Sequence, residues 1–141
     1  MFYHPPTDAL PRIFVSESEE HRLTALATAT VLTGRSRDVA RTLLAEMERA
    51  EVVPERAMPA NVVRMNSRVE FEIDDANRRQ VQLVFPGDAN IDEGRISVLT
   101  PIGTALIGLS SGQMMMLQGH DGRPHKLRVL SVAEPAASRP R

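Results

Sequence analysis

The hydrophobic period of this 141-residue chain changes once, near residue 61, and that change restricts the fold to helices followed by a sheet. Before it, apolar residues recur three or four positions apart; after it, they alternate with polar ones. Residues 1–15 precede both patterns. They carry Pro5, Pro6 and Pro11, which fix φ and lack an N–H, so an extended lead-in is expected. Ser16 followed by Glu19 forms a capping box, and a helix is expected from Glu17 to about Val31, with Leu23, Leu26, Ala27 and Thr30 on one side. Gly34 stops it, and Ser36 caps a second helix from about Arg37 to Glu51. There Val39, Leu43, Met47 and Ala50 share a face that Leu44 widens, and Pro54 closes the segment. Residues 16–54 therefore read as an antiparallel helical hairpin, each arm roughly 22 Å long. A pair this short buries little alone and needs a second unit to lean on.

That unit is residues 55–133. Val69, Phe71 and Ile73 alternate with Arg68, Glu70 and Glu72, the pattern of a half-buried strand. Asp74-Asp75-Ala76-Asn77 is turn chemistry, and Val81–Phe85 reads as the partner strand. Ile96 and Val98 open a third strand. Pro101 suits the first turn of a short helix over Ile102–Gly108. Gln113–Gln118 and Leu127–Val132 supply two more strands around an Asp121-Gly122 turn. The fold class is α+β: a helical hairpin, then an antiparallel sheet curling around one small helix. Residues 134–141 read as a frayed tail.

Composition removes several functions. Lys+Arg and Asp+Glu number 17 and 18, a balance that argues against affinity from a broad basic surface of the kind non-specific duplex binders need, and no direct sequence-specific nucleic-acid binding is expected. With no cysteine, thiolate catalysis and cysteine-ligated metals are excluded. No apolar run is long enough to span a membrane, and the first residues lack a signal peptide's basic start and apolar core, so a cytoplasmic location is expected.

The segment Ile96-Ser97-Val98-Leu99-Thr100-Pro101-Ile102-Gly103-Thr104-Ala105-Leu106-Ile107-Gly108, followed by Gly112, resembles the C-terminal domain of the GreA/GreB transcription elongation factors. Gly94 and the Gly122 turn also fall where that family has glycines. The stretch Met58-Pro59-Ala60-Asn61-Val62-Val63-Arg64-Met65-Asn66-Ser67-Arg68-Val69 is similar to the Rnk branch of the same superfamily, the regulators of nucleoside diphosphate kinase. The resemblance implies an FKBP-like C-terminal domain and a coiled-coil hairpin. It implies a partner, the RNA polymerase core, with the C-terminal domain docked on the secondary channel rim and the hairpin pointing into the channel. The docking residues it suggests are Thr100, Pro101, Gly103, Thr104 and Gln113. Three depart from the family pattern: Thr100 replaces a serine, Thr104 stands where cleavage factors often carry arginine, and Gln113 stands where many members have aspartate.

In the cleavage factors, as the resemblance has it, acidic residues at the hairpin tip help hold a second magnesium. Here the tip is Gly34, Arg35, Ser36, Arg37 and Asp38. A hard divalent cation wants several carboxylate oxygens. Asp38, flanked by Arg37 and Arg41, is a poor site, so no transcript cleavage is expected. Glu17, Glu19, Glu20, Glu46, Glu48 and Glu51 gather instead at the hairpin base, where they read as solvated helix ends.

No catalytic residue, metal site or cofactor is expected. A prolyl-isomerase site needs an apolar aromatic pocket, and only Phe71 and Phe85 lie in the C-terminal unit, both at strand positions that look like core. The histidines are His4, His21, His120 and His125, and the last two flank Asp121 at one hairpin turn without standard zinc spacing. Met114–Met116 read as core plus a soft patch. The competing reading is a small non-enzymatic adaptor that uses the same sheet and loop to bind another protein and never meets polymerase.

Overall fold

The computed structural model describes residues 10–34, 37–119 and 121–133. The chain opens with β1 (Phe14–Ser16) and runs directly into α1 (Glu17–Thr33). Ser16 Oγ accepts the Glu19 N–H at 3.3 Å, and Gly34 ends the helix at φ 81°, its N–H donating to Val31 O. The Glu19 half of the expected capping box does not form, because that carboxylate turns toward the sheet unit. The chain reverses after Gly34, and α2 (Arg37–Arg49) returns along α1. The expected cap Ser36 lies outside the described residues.

Helix α2 stops before Glu51, which instead opens β2 (Glu51–Val53), parallel to β1. Arg49 marks the stop. It pairs with Glu46 at 2.8 Å and donates to Pro11 O at 2.5 Å, tying the helix end to the entering strand. The buried stripe of α2 is Ala40, Leu43 and Met47, with Glu46 buried beside them; Val39 and Leu44 only flank it. Residues 1–9 of the expected lead-in lie outside the described residues, and its end is core: Ile13 and Val15 are buried. Among the charges expected as solvated helix ends, Glu46 is buried and paired, and Glu51 pairs with Arg12.

The sheet has strand order β5-β4-β3-β7-β6, with β3 (Arg68–Ile73), β4 (Asn77–Val84), β5 (Arg95–Ser97), β6 (Met114–Gln118) and β7 (Pro124–Ala133). Asp74 and Asp75, both at positive φ, make the tight reversal from β3 to β4 that their sequence suggested. The sheet is mixed rather than antiparallel, since β5 runs parallel to β4. Two 3-10 turns, Pro86–Asp88 and Ile91–Glu93, carry the chain back before β5 starts. Strand β4 also begins four residues earlier than Val81, because Arg78, Arg79 and Gln80 pair with β3 despite their polarity.

Helix α3 (Pro101–Leu106) ends before Gly108, whose φ of 84° continues no helix. Leu23, Ala27, Leu43 and Met47 of the helices join Val69, Leu83, Leu106 and Val129 of the sheet unit in one buried cluster. Each such leucine contributes about 1.5–3 kcal/mol, so the helices and sheet stabilise each other as their lengths require. Phe85 is not a core strand residue. It lies past β4, half-buried, with the Arg22 guanidinium 4.3 Å above its ring. Among the described residues no helix is long and apolar enough to cross a membrane.

Candidate functional site

The corner before α3 is built by short polar contacts. Ser97 Oγ accepts the Leu99 N–H, and Thr100 Oγ1 donates to Ser97 O at 2.7 Å while accepting the Gly103 N–H at 3.0 Å. Pro101 follows at the first helical position, where its missing N–H costs nothing. Thr100 is half-buried and Pro101 exposed, so this corner is accessible.

The other expected docking residues hold the corner from inside. A Cβ on Gly103 would lie 2.2 Å from Ser97 O and 2.9 Å from Val98 Cα, so the position admits only glycine. Thr104 is buried, its hydroxyl donating to Val98 O at 2.7 Å. Gln113 Oε1 accepts the Ser110 N–H and braces the turn into β6. Gly103 and Thr104 are therefore buried inside the corner rather than shown on its surface. Met114 is exposed and Met115 buried, as strand alternation expects.

Beside the corner lies an open cavity of about 610 Å³. Its floor is the inward face of the sheet, with Phe71, Val81 and Ile96; Ile102 and Leu117 stand at its sides. It exists because α3 is too short to cover the sheet: six residues span about 9 Å, whereas the ten of β7 span about 33 Å. No feature of the sequence marks this cavity, most of whose lining is aliphatic.

Three cations edge it. Arg95 is engaged, with Glu93 at 2.6 Å and Asp88 O at 2.9 Å. His125 bridges two turns, Nδ1 to Asp74 at 2.6 Å and Nε2 to Asp121 at 3.0 Å. Facing carboxylates on both nitrogens favours the imidazolium, which donates twice, so hydrogen bonding to Asp74 and then Asp121 raises the His125 pKa. The third cation, Arg79, sits directly across from Phe71 in the β3–β4 register, so it shares the inward face.

At the base of the helices, Glu19 joins the two units. Its Oε1 accepts the Met65 N–H and its Oε2 the Arg64 guanidinium, both at 3.3 Å. Arg64 also pairs with Glu55, and its buried Nε has no partner. Burial raises the Glu19 pKa against the opposing pull of Arg64, while the Arg64 hydrogen bond lowers that of Glu55. At the far end, Gly34 is left-handed and Arg37 and Asp38 are exposed; Arg35 and Ser36 lie outside the described residues. His120 does too.

Sequence reasoning missed Arg64, Glu55 and Arg79. Counting back by twos from Leu83 and Val81 finds Arg79 on the core side; nothing local marks the Arg64 network, which spans 45 residues to Glu19.

Residues 58–134 match the family described as transcription elongation factor, GreA/GreB, C-term. The chain belongs to that family. Within it, residues 11–53 match the Rnk N-terminus. The chain is 32% identical over 123 residues to the regulator of nucleoside diphosphate kinase of Escherichia coli strain K12, covering 86% of this chain and 89% of that protein. A transcription elongation factor GreA of Thermodesulfovibrio yellowstonii is 29% identical over 92 residues, or 64% of this chain and 58% of that one. The solved GreA/GreB factor of Nitrosomonas europaea superposes with TM-score 0.67 at 32% identity, covering 87% of this chain and 98% of that one.

Proposed function

We propose that this protein is a non-enzymatic regulator of transcription that works in the cytoplasm by binding core RNA polymerase. Its sheet unit, FKBP-like in this reading, docks on the secondary channel rim, and its helical pair acts as a short coiled-coil hairpin at the channel mouth. The observation that carries the reading is the Thr100–Pro101 corner. It keeps the hydroxyl and the proline of the family motif, is held rigid by Thr100 and Gly103, and remains accessible beside an apolar pocket. Such a surface suits protein docking, where apolar anchors in pockets carry most of the affinity.

Transcript cleavage is not part of this function. Asp38 is the one carboxylate between Val31 and Asp38, and arginines flank it in sequence. A single carboxylate on an exposed helix start holds a divalent cation poorly. The helices, 17 and 13 residues long, reach about 25 and 20 Å.

The test is a titration against core polymerase, repeated with a saturating long-hairpin cleavage factor, alongside an assay of backtracked RNA. Binding that the competitor abolishes, with no shortening of the RNA, is expected. No binding at micromolar concentration would return the protein to the adaptor class, and factor-dependent shortening would refute the hairpin reading.

A further inference from the structure

We propose that the open cavity beside α3 receives an apolar side chain of the polymerase that is carried next to a carboxylate, and that Arg79 reads the carboxylate. This rests on the polymerase reading and names the chemistry of the docked segment.

Arg79 is the anomaly from which this follows. The inward face of β4 runs Arg79, Val81, Leu83, and that of β3 runs Val69, Phe71, Ile73. Five of these six side chains are apolar, and the cation stands opposite Phe71. The other two cations at the cavity have carboxylate partners of their own, Glu93 for Arg95 and Asp74 with Asp121 for His125. Arg79 has no ion pair among the described residues. An arginine beside an apolar cavity presents a planar fork of donors suited to a carboxylate, while its stem extends the apolar wall. Exposed Ile91, with 81% of its surface free, stands at the mouth and adds apolar area that folding leaves uncovered. An apolar volume with one uncommitted guanidinium at its edge is complementary to an apolar group bearing a nearby negative charge.

The site is tested first without polymerase, using the fluorescent apolar anion 1-anilinonaphthalene-8-sulfonate and its neutral analogue N-phenyl-1-naphthylamine. Arg79→Gln should weaken the anion by about fivefold, the size expected for an exposed charge-assisted contact, and leave the neutral dye within about twofold. Arg79→Lys should fall between. Ala89→Trp, at an exposed position lining the cavity, should block both dyes. Unchanged urea midpoints confirm that dye binding reports the folded site. Core polymerase should then displace the anion from the wild-type protein, and Arg79→Gln should bind polymerase about fivefold more weakly.

Anion affinity indifferent to Arg79→Gln and to Ala89→Trp overturns the site. If Arg79→Gln instead self-associates with unchanged dye affinity, Arg79 guards the unpaired part of β4, and the proposal fails. Substitutions that alter dye binding but not polymerase affinity overturn the occupant. A protein that binds dye as expected yet never binds polymerase overturns the function proposed above, and the occupant with it, while the cavity's chemistry stands.

Discussion

The two ends of the inward sheet face carry the same kinds of side chain and meet opposite fates. At one end Val69, Leu83 and Val129 are fully buried within the cluster that contains Leu106 and the helices. At the other, Ile73 and Leu117 line an open cavity. The difference lies in what lies over them. The helical pair and a six-residue α3 close the first end, and nothing among the described residues closes the second. A closed end is set by packing and tolerates little change. An open end keeps apolar area uncovered, and an uncovered apolar surface beside a rigid corner is what a partner needs.

The largest test of the contrast is Gly103→Ala. The new methyl would enter the closed side against Ser97 O and Val98 Cα, both backbone, which cannot swing away. A loss of about 3 kcal/mol in urea unfolding is expected, at the upper end for overpacking. A loss below about 1 kcal/mol would mean the corner is looser than its contacts suggest.

Next comes the joint between helices and sheet. Glu19→Ala strands the Met65 N–H and leaves Arg64 with one carboxylate, costing about 1–3 kcal/mol. Glu19→Gln keeps an acceptor for Met65 and removes a charge that burial disfavours, so it should cost much less. Equal losses for the two would show that charge, not the hydrogen bond, holds the joint.

At the corner the two ends meet, and a pair of substitutions separates them. Thr100→Val removes the helix cap and should cost about 1 kcal/mol. Pro101→Ala changes an exposed residue and should move stability by less than about 0.5 kcal/mol, yet weaken polymerase binding severalfold. If Pro101→Ala lowers stability as much as Thr100→Val and leaves binding intact, the corner is architecture rather than contact.

The same contrast explains what was legible in the sequence. Val69, Phe71 and Ile73 announce a strand because alternation is local, and Ser16 and Gly34 announce helix ends because caps are local. The β1–β2 pairing was not legible: three residues on each side, joined across two helices, leave no period to read. Nor was the parallel β5, whose direction depends on two 3-10 turns with no hydrophobic pattern. Among the expected docking residues, Thr100 and Pro101 sit where a partner can reach them, while Gly103 and Thr104 share their motif and are buried. A motif read along the chain does not separate the residue that builds a corner from the residue that shows on it. The cavity was missed for a related reason, because an unfilled volume depends on the short reach of α3 and not on any residue type.

The smallest effect is expected at the cavity wall, where His125 holds the β3–β4 and β6–β7 turns together. The charged groups around it are Asp74 and Asp75 from the first turn, Asp121 and Arg123 from the second, and its neighbour Lys126, whose ammonium pairs with Asp75. Arg79 shares the cavity. The folded His125 binds its proton more tightly than its ordinary value of 6.5 implies. Its contribution is therefore complete below that value and fades as pH rises through the raised one. Asp74 and Asp121 shift downward from 3.8, so their contributions appear above that value and fade as pH falls. The clamp is fullest between these limits. The melting temperature of wild type should exceed that of His125→Gln by a few degrees at about pH 5, with the gap closing toward about pH 9. A gap that stays constant across that range would mean the ring holds the turns by packing or by one neutral hydrogen bond, and that the open end of the sheet keeps its wall whatever the charge on His125.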